Sequence, residues 1–124
     1  MTQEQKQLLL IDLCGRLPYG VKCQVQEDEF TYIGTLCKLE IDNANGNLLD
    51  FAESVSGLEW QVYLSEVKPY LCPLSGMTEE QKIELTCIID SDYAKIDWYN
   101  KNHFDYRGLI PMGLANDATG LNIY

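Results

Sequence analysis

Between residues 21 and 64 the chain alternates apolar and polar side chains in short runs, each closed by a few turn-forming residues. Val21, Cys23 and Val25 alternate with Lys22, Gln24 and Gln26, the period of a strand with one buried face. Glu27-Asp28-Glu29 makes the turn. Phe30 to Ile41 predicts a long second strand carrying Ile33, Cys37, Leu39 and Ile41 on one face. Gly34 inside it predicts a bulge or sharp bend, because a glycine leaves a strand without a side chain to pack. The segment 43–47 contains the Asn-Gly hairpin signal, Leu49, Phe51 and Val55 mark a third strand, and Ser56-Gly57 turns the chain again. Trp60, Val62 and Leu64 supply a fourth. A parallel crossover needs about a dozen residues, which these turns lack. The pattern therefore predicts a four-stranded antiparallel meander, folded as a bent sheet or an SH3-like partial barrel.

Helical patterns flank this region. Thr2 with Gln5 forms a capping box, and Leu9, Leu13 and Leu17 with Leu10 and Cys14 form an apolar stripe over about fifteen residues. Gly15 and Pro18 lie where that helix should end, and Pro18-Tyr19-Gly20 makes the turn out of it. Val67 to Leu74 must be extended, since Pro69 and Pro73 forbid helix. Thr78 and Gln81 form a second capping box, opening a helix through Ile83, Leu85, Ile88 and Ile89. Tyr93 to Asn102 predicts a short further helix. From His103 onward the chain follows no period and is punctuated by Gly108, Pro111, Gly113 and Gly120. The expected whole is one α+β domain over residues 1–124: an N-terminal helix, the bent sheet, two C-terminal helices and an irregular apolar tail.

Charge and cysteine usage narrow the function. The 124 residues carry 19 acidic and nine basic side chains, a net charge of −10. Lys and Arg nowhere cluster, so the footprint of a phosphate-backbone reader is missing and neither nucleic acid nor an anionic membrane is an expected partner. The five cysteines, at 14, 23, 37, 72 and 87, are odd in number and widely spaced, which reads as reduced, mostly buried thiols. With no CxxC pair and a single histidine, no metal site is expected. The apolar run Leu8-Leu9-Leu10-Ile11 is cut by Asp12 and is too short for a signal-peptide core or a membrane span, so a cytoplasmic protein is expected.

Few residues invite chemistry. His103, Asp105, Tyr106 and Arg107 are the nearest to a reactive cluster, joining the only histidine to one of two arginines. The competing reading is that Asp105 and Arg107 fasten the tail while the aromatics fill a core. Cys14 or Cys72 could pair with His103 only if the fold brought them together. Asp90, Asp92 and Asp97 fail as a calcium loop, since Ala94 and Lys95 stand where oxygen ligands and a glycine are needed. No catalytic residue and no cofactor is therefore nominated. Tyr63, Tyr70, Trp98, Tyr99, Phe104 and Tyr106 concentrate behind the meander, and Tyr and Trp suit both binding surfaces and cores.

Three phrases carry a resemblance. They are Arg16-Leu17-Pro18-Tyr19-Gly20-Val21, then Lys68-Pro69-Tyr70-Leu71 with Pro73-Leu74-Ser75-Gly76-Met77-Thr78, then Asp97-Trp98 with Phe104-Asp105-Tyr106-Arg107-Gly108-Leu109-Ile110. Together they resemble small uncharacterised proteins of gut Bacteroides-type bacteria and their phages or prophages. The resemblance spans nearly the whole chain and implies a bacterial or viral setting with a reducing cytoplasm, but no chemistry for any residue.

The function expected from the sequence is a non-enzymatic, cytoplasmic protein-interaction domain, of mobile-element or phage origin. Its unidentified protein partner would meet the sheet edge or the aromatic tail, with Trp98, Phe104, Tyr106 and Arg107 as anchors. Two alternatives stand behind it: an acidic nucleic-acid mimic that inhibits a nucleic-acid enzyme, and a small enzyme centred on His103.

Overall fold

A computed structural model describes residues 2–42, 46–52, 59–88 and 91–124, with side chains described outside residue 27, the segments 40–42 and 46–52, and residues 59–60. Helix α1 spans Gln3–Arg16 and begins as its capping box requires: the Thr2 hydroxyl accepts from the Gln5 amide, and the Gln5 side chain accepts from the Thr2 amide. Leu9 and Leu13 on its inner face are completely buried. So are Asp12 and Arg16, which share that face at helical spacing. Cys14, expected in the stripe, is exposed. Gly15 lies within the helix and does not end it; a Cβ there would come within 2.9 Å of the Asn100 amide nitrogen, so glycine admits a close approach of the C-terminal segment. The helix ends instead in a 3₁₀ turn, Leu17–Tyr19, closed by Gly20 at φ +64°.

The strands are β1 (Lys22–Glu27), β2 (Phe30–Asp42), β3 (Gly46–Ala52), β4 (Glu59–Tyr63) and β5 (Val67–Leu71). All four expected strands form, in antiparallel succession. The expected hairpin signal at 43–45, and the expected Val55 and Ser56-Gly57 turn, lie outside the described residues. Strand β2 divides its length between two neighbours. Residues 30–35 pair with β1 and residues 35–42 with β3, and the register slips between Leu36 and Lys38 where the partners change over.

This bulge corrects two expectations. Gly34 pairs in regular register with Cys23 and lies buried, so the irregularity sits at Cys37. The extra residue also flips the strand's faces, since side chains alternate with a period of two. Before it Leu36 points inward while Ile33 is half exposed; after it Leu39 packs on the core with Cys37 and Lys38 outside. A uniform Ile33–Cys37–Leu39 face therefore does not exist.

The sheet is larger than four antiparallel strands. The order is β4-β3-β2-β1-β5-β6, where β6 is the two-residue strand Asn116–Asp117. Strand β5 is antiparallel to β1, with Cys23 opposite Pro69, but β6 runs parallel to β5, so the sheet is mixed. Val67, Pro69 and Leu71 point inward while Lys68 is exposed and Tyr70 half-buried, an alternation that the two prolines obscured in the sequence. Among the described residues the sheet keeps two free edges and does not close.

It does bend. Strands β4 and β5 are four inter-strand steps apart, roughly 19 Å in a flat sheet. The 3₁₀ turn Leu64–Glu66 that joins them can span only about 14 Å even when extended. Flatness is therefore sterically impossible, and the bulge at Cys37 supplies the curvature. Inside the curl, Leu9 and Leu13 of α1 meet Val21, Val25, Leu36, Leu71 and Leu109 in one cluster. The remaining helices, α2 (Glu79–Cys87) and α3 (Asp92–Lys101), follow β5, and the tail folds back along the outer edge of that strand.

Candidate functional site

Helix α3 is set by its ends. The Ser91 hydroxyl caps its N-terminus by accepting from the Ala94 amide. At the other end the Phe104 amide reaches the Tyr99 carbonyl and the His103 amide reaches the Asn100 carbonyl, the paired bonds of a Schellman motif. The residue that must turn left-handed there is His103, at φ +62°, where glycine is the usual occupant. The chain then lies beside the end of β5: the Cys72 amide donates to the His103 carbonyl at 2.7 Å, and the Asp105 amide to the Cys72 carbonyl at 2.8 Å.

Arg16 clamps this crossing from α1. Its Nε and Nη2 donate to the two Asp12 oxygens at 2.7 and 3.1 Å, and Nη2 also donates to the Phe104 carbonyl at 2.6 Å. Both side chains are 0% exposed, so the pair lies where each charge depends on the other. Arg107 approaches the same carboxylate from the tail, with Nε 3.3 Å from Asp12 Oδ1 but without the alignment of a hydrogen bond. Asp105 is also buried, and its oxygens accept from the Leu109 and Ile110 amides at 2.8 and 2.9 Å. It fixes the turn of the tail and does not orient His103.

An aromatic stack runs outward from this lock. Phe104 and Trp98 are buried and stacked at 5.5 Å, Tyr99 meets Trp98 edge-on at 5.8 Å, and Tyr106 stacks on Tyr99 at 5.4 Å. Arg107 lies over the Tyr106 ring at 4.9 Å and donates to its hydroxyl at 3.0 Å. Its side chain keeps 26% of its surface exposed. All four residues nominated from the sequence thus fall in one stack, with Trp98 and Phe104 at its buried end and Tyr106 and Arg107 at its half-buried end. Sequence reasoning missed Asp12, Arg16 and the role of Tyr99 as the central ring. A carboxylate four residues before an arginine on one helix is the signal that could have found the first two.

Beside Tyr99 a groove of about 360 Å³ opens between α2 and α3, lined by Leu85, Thr86, Ile88, Lys95 and Tyr99. Trp98 Nε1 donates to Glu84 at 2.9 Å, tying the two helices together below it. Helix α2 opens with the expected capping box at Thr78, but none of its nine residues is buried, and Ile83 is 64% exposed.

His103 is held elsewhere. Its ring stacks on Tyr124 at 3.6 Å, and its Nδ1 is enclosed without a hydrogen-bond partner among the described residues. The Tyr124 hydroxyl accepts from the Lys22 amide at 2.9 Å and donates to the Tyr70 carbonyl at 2.7 Å, pinning the chain's last residues to β1 and β5. Burial, reinforced by the nearby charges of Arg16 and Lys22, lowers the His103 pKa to about 4. Burial raises the thiol pKa values of Cys23 and Cys72, so both stay protonated and weakly nucleophilic at neutral pH. Among the described residues no three His, Cys, Asp or Glu side chains converge as a metal site, and no helix is long and apolar enough to cross a membrane.

No family model, curated protein or solved structure shows detectable similarity to this chain.

Two outcomes follow. Asp12→Ala leaves the Arg16 guanidinium uncompensated and is expected to cost about 3–5 kcal/mol in denaturant unfolding, whereas the double variant Asp12→Leu, Arg16→Met loses less than that single change. For His103 the folded pKa lies below the ordinary 6.5, so the unfolded chain takes up its proton first on acidification. The contribution of this group is complete above pH 6.5 and is lost as pH falls toward about 4. NMR titration of the single imidazole should give a midpoint near 4, and His103→Gln should reduce the loss of stability across that window; a midpoint near 6.5 would contradict the enclosure.

Proposed function

We propose that this chain is a non-enzymatic protein-interaction domain that receives its partner on the α2–α3 side, with the Tyr99–Tyr106–Arg107 end of the stack as part of the contact. The observation that carries this reading is α2 itself. Helices shorter than about 12–15 residues are marginal in water without packing, yet this nine-residue helix buries no side chain and holds Ile83 in solvent. A partner covering Ile83, Leu85 and Ile88 would supply the missing packing. Trp98 and Phe104 act from below, holding α3 and Tyr99 in place.

Other parts of the reading have their own support. The short link between β4 and β5, with β5 returning to β1, supports an SH3-like curl of the antiparallel strands. Five free thiols support a cytoplasmic setting, and the resemblance noted above supports a mobile-element or phage origin. A binding role is favoured over a catalytic one because His103 is spent on the Tyr124 stack, and over nucleic-acid mimicry because that alternative draws on net charge alone.

Replacing Ile83, an exposed position, by Asp should leave thermal stability within about 0.5 kcal/mol of wild type. In affinity capture from a bacterial lysate, the same variant should lose a protein that wild type retains. Capture unchanged by Ile83→Asp, with the fold intact, would remove α2 as the docking element.

A further inference from the structure

We infer that residues 119–124 are a strap over a notch between β1 and β5 that recognises a phenol ring, with Tyr124 as its resident occupant. The pairing of β1 with β5 ends at Cys23 opposite Pro69. One step further, antiparallel register would set the Lys22 amide against the Tyr70 carbonyl. The Tyr124 hydroxyl stands between them instead. It accepts from the Lys22 amide at 2.9 Å and donates to the Tyr70 carbonyl at 2.7 Å. The face of the notch is the His103 ring, 3.6 Å from the Tyr124 ring between centroids and only 9° from parallel. A hydroxyl can accept and donate at once, so a phenol satisfies both backbone groups while its ring lies on the imidazole. A phenyl ring would stack but leave the amide and carbonyl unpaired, and an aliphatic alcohol would bridge them without stacking.

The notch is held by parts of the fold other than the strap. Lys22 lies opposite Thr35 of β2, and Tyr70 opposite Asn116 of β6. The His103 backbone is tied on both sides, its amide donating to the Asn100 carbonyl and its carbonyl accepting from the Cys72 amide. The strap itself is lightly held. Its root is Ala118, buried, with its amide on the Leu71 carbonyl at 2.8 Å; residues 119–122 beyond it are exposed. Gly120 and Asn122 turn left-handed, at φ +76° and +52°, and bring the segment back to the sheet. Among the described residues, and apart from local turn bonds to Asp117 and Ala118, the strap has one polar tie besides Tyr124. It is the Ile123 carbonyl, which accepts from Lys22 Nζ at 3.1 Å. A segment with so few buried contacts opens locally, well short of global unfolding. While closed, the tether presents Tyr124 at an effective concentration in the millimolar range. A phenol from outside, free or as the tyrosine side chain of another protein, therefore enters when the strap opens.

The test compares the full wild-type chain with Tyr124→Ala, using p-cresol and toluene as probes. NMR shifts of the His103 ring and the Lys22 amide report occupancy, and the remaining amides report the fold. p-Cresol at millimolar concentration should bind the variant saturably and move both signals back toward their wild-type positions. Toluene should bind the variant at least about tenfold more weakly, because it leaves the amide and carbonyl unpaired. p-Cresol should also bind wild type at least about tenfold more weakly than it binds the variant, since Tyr124 fills the notch there. N-acetyltyrosinamide separates the two sources: if it moves the same signals the notch admits a tyrosine side chain, and if it does not the ligand is a free phenol. No shift at His103 and Lys22, toluene binding as tightly as p-cresol, or wild type binding as tightly as the variant would each overturn the inference. Should Tyr124→Ala fail to fold, Tyr124→Phe keeps the stack and removes only the hydroxyl. Hydrogen exchange at the Lys22 amide should then rise by roughly tenfold while the Ala118 amide keeps its protection, and unchanged exchange at Lys22 would overturn the hydroxyl's bridging role.

Discussion

The structure turns on one buried ion pair. Asp12 and Arg16 sit on the inner face of α1 among leucines, and neither charge is tolerable there without the other. Their geometry does more than neutralise. By donating to the Phe104 carbonyl, Arg16 fixes the point where the chain leaves α3, and by facing Arg107, Asp12 holds the turn that follows. An apolar pair at these positions could fill the same volume but could not direct the tail. The polar pair therefore acts as a register device, placing an irregular segment that has no period of its own.

Everything at the candidate site inherits this placement. Because Phe104 is fixed, Trp98 has a ring to stack against; because Trp98 is fixed, Glu84 can tie α2 to α3. Tyr106 and Arg107 follow Phe104 by two and three residues, so the lock also sets how far the stack extends toward solvent. The unusual left-handed His103 belongs to the same arrangement: it ends α3, lends its carbonyl to Cys72, and gives Tyr124 a surface to close over.

The parts legible in the sequence were those governed by local chemistry. Capping boxes at Thr2 and Thr78 begin their helices where the pattern placed them, and the period-two run from Val21 to Gln26 forms a strand with Cys23 and Val25 inward. What escaped depends on contacts distant in sequence. The bulge falls at Cys37 because β2 changes partners there, not because of the nearby Gly34. Strand β5 joins β1 only once the sheet curls, and β6 exists only because the tail lies along β5. The four nominated residues, Trp98, Phe104, Tyr106 and Arg107, fall in one stack through Tyr99, an arrangement that no pattern in the tail foretold. Which of them reaches the surface is decided by Arg16, 88 residues before the Phe104 carbonyl it holds.

The most direct measurement is native-state amide hydrogen exchange, comparing wild type with the double variant Asp12→Leu, Arg16→Met, which removes the pair without leaving a buried charge unpaired. The account predicts that the amides of Asp105, Leu109 and Ile110 lose protection selectively, by roughly an order of magnitude or more, while β1 and the first half of β2 keep theirs. Equal loss of protection throughout the molecule, or none at the tail, would contradict the claim that the buried pair positions the C-terminal segment.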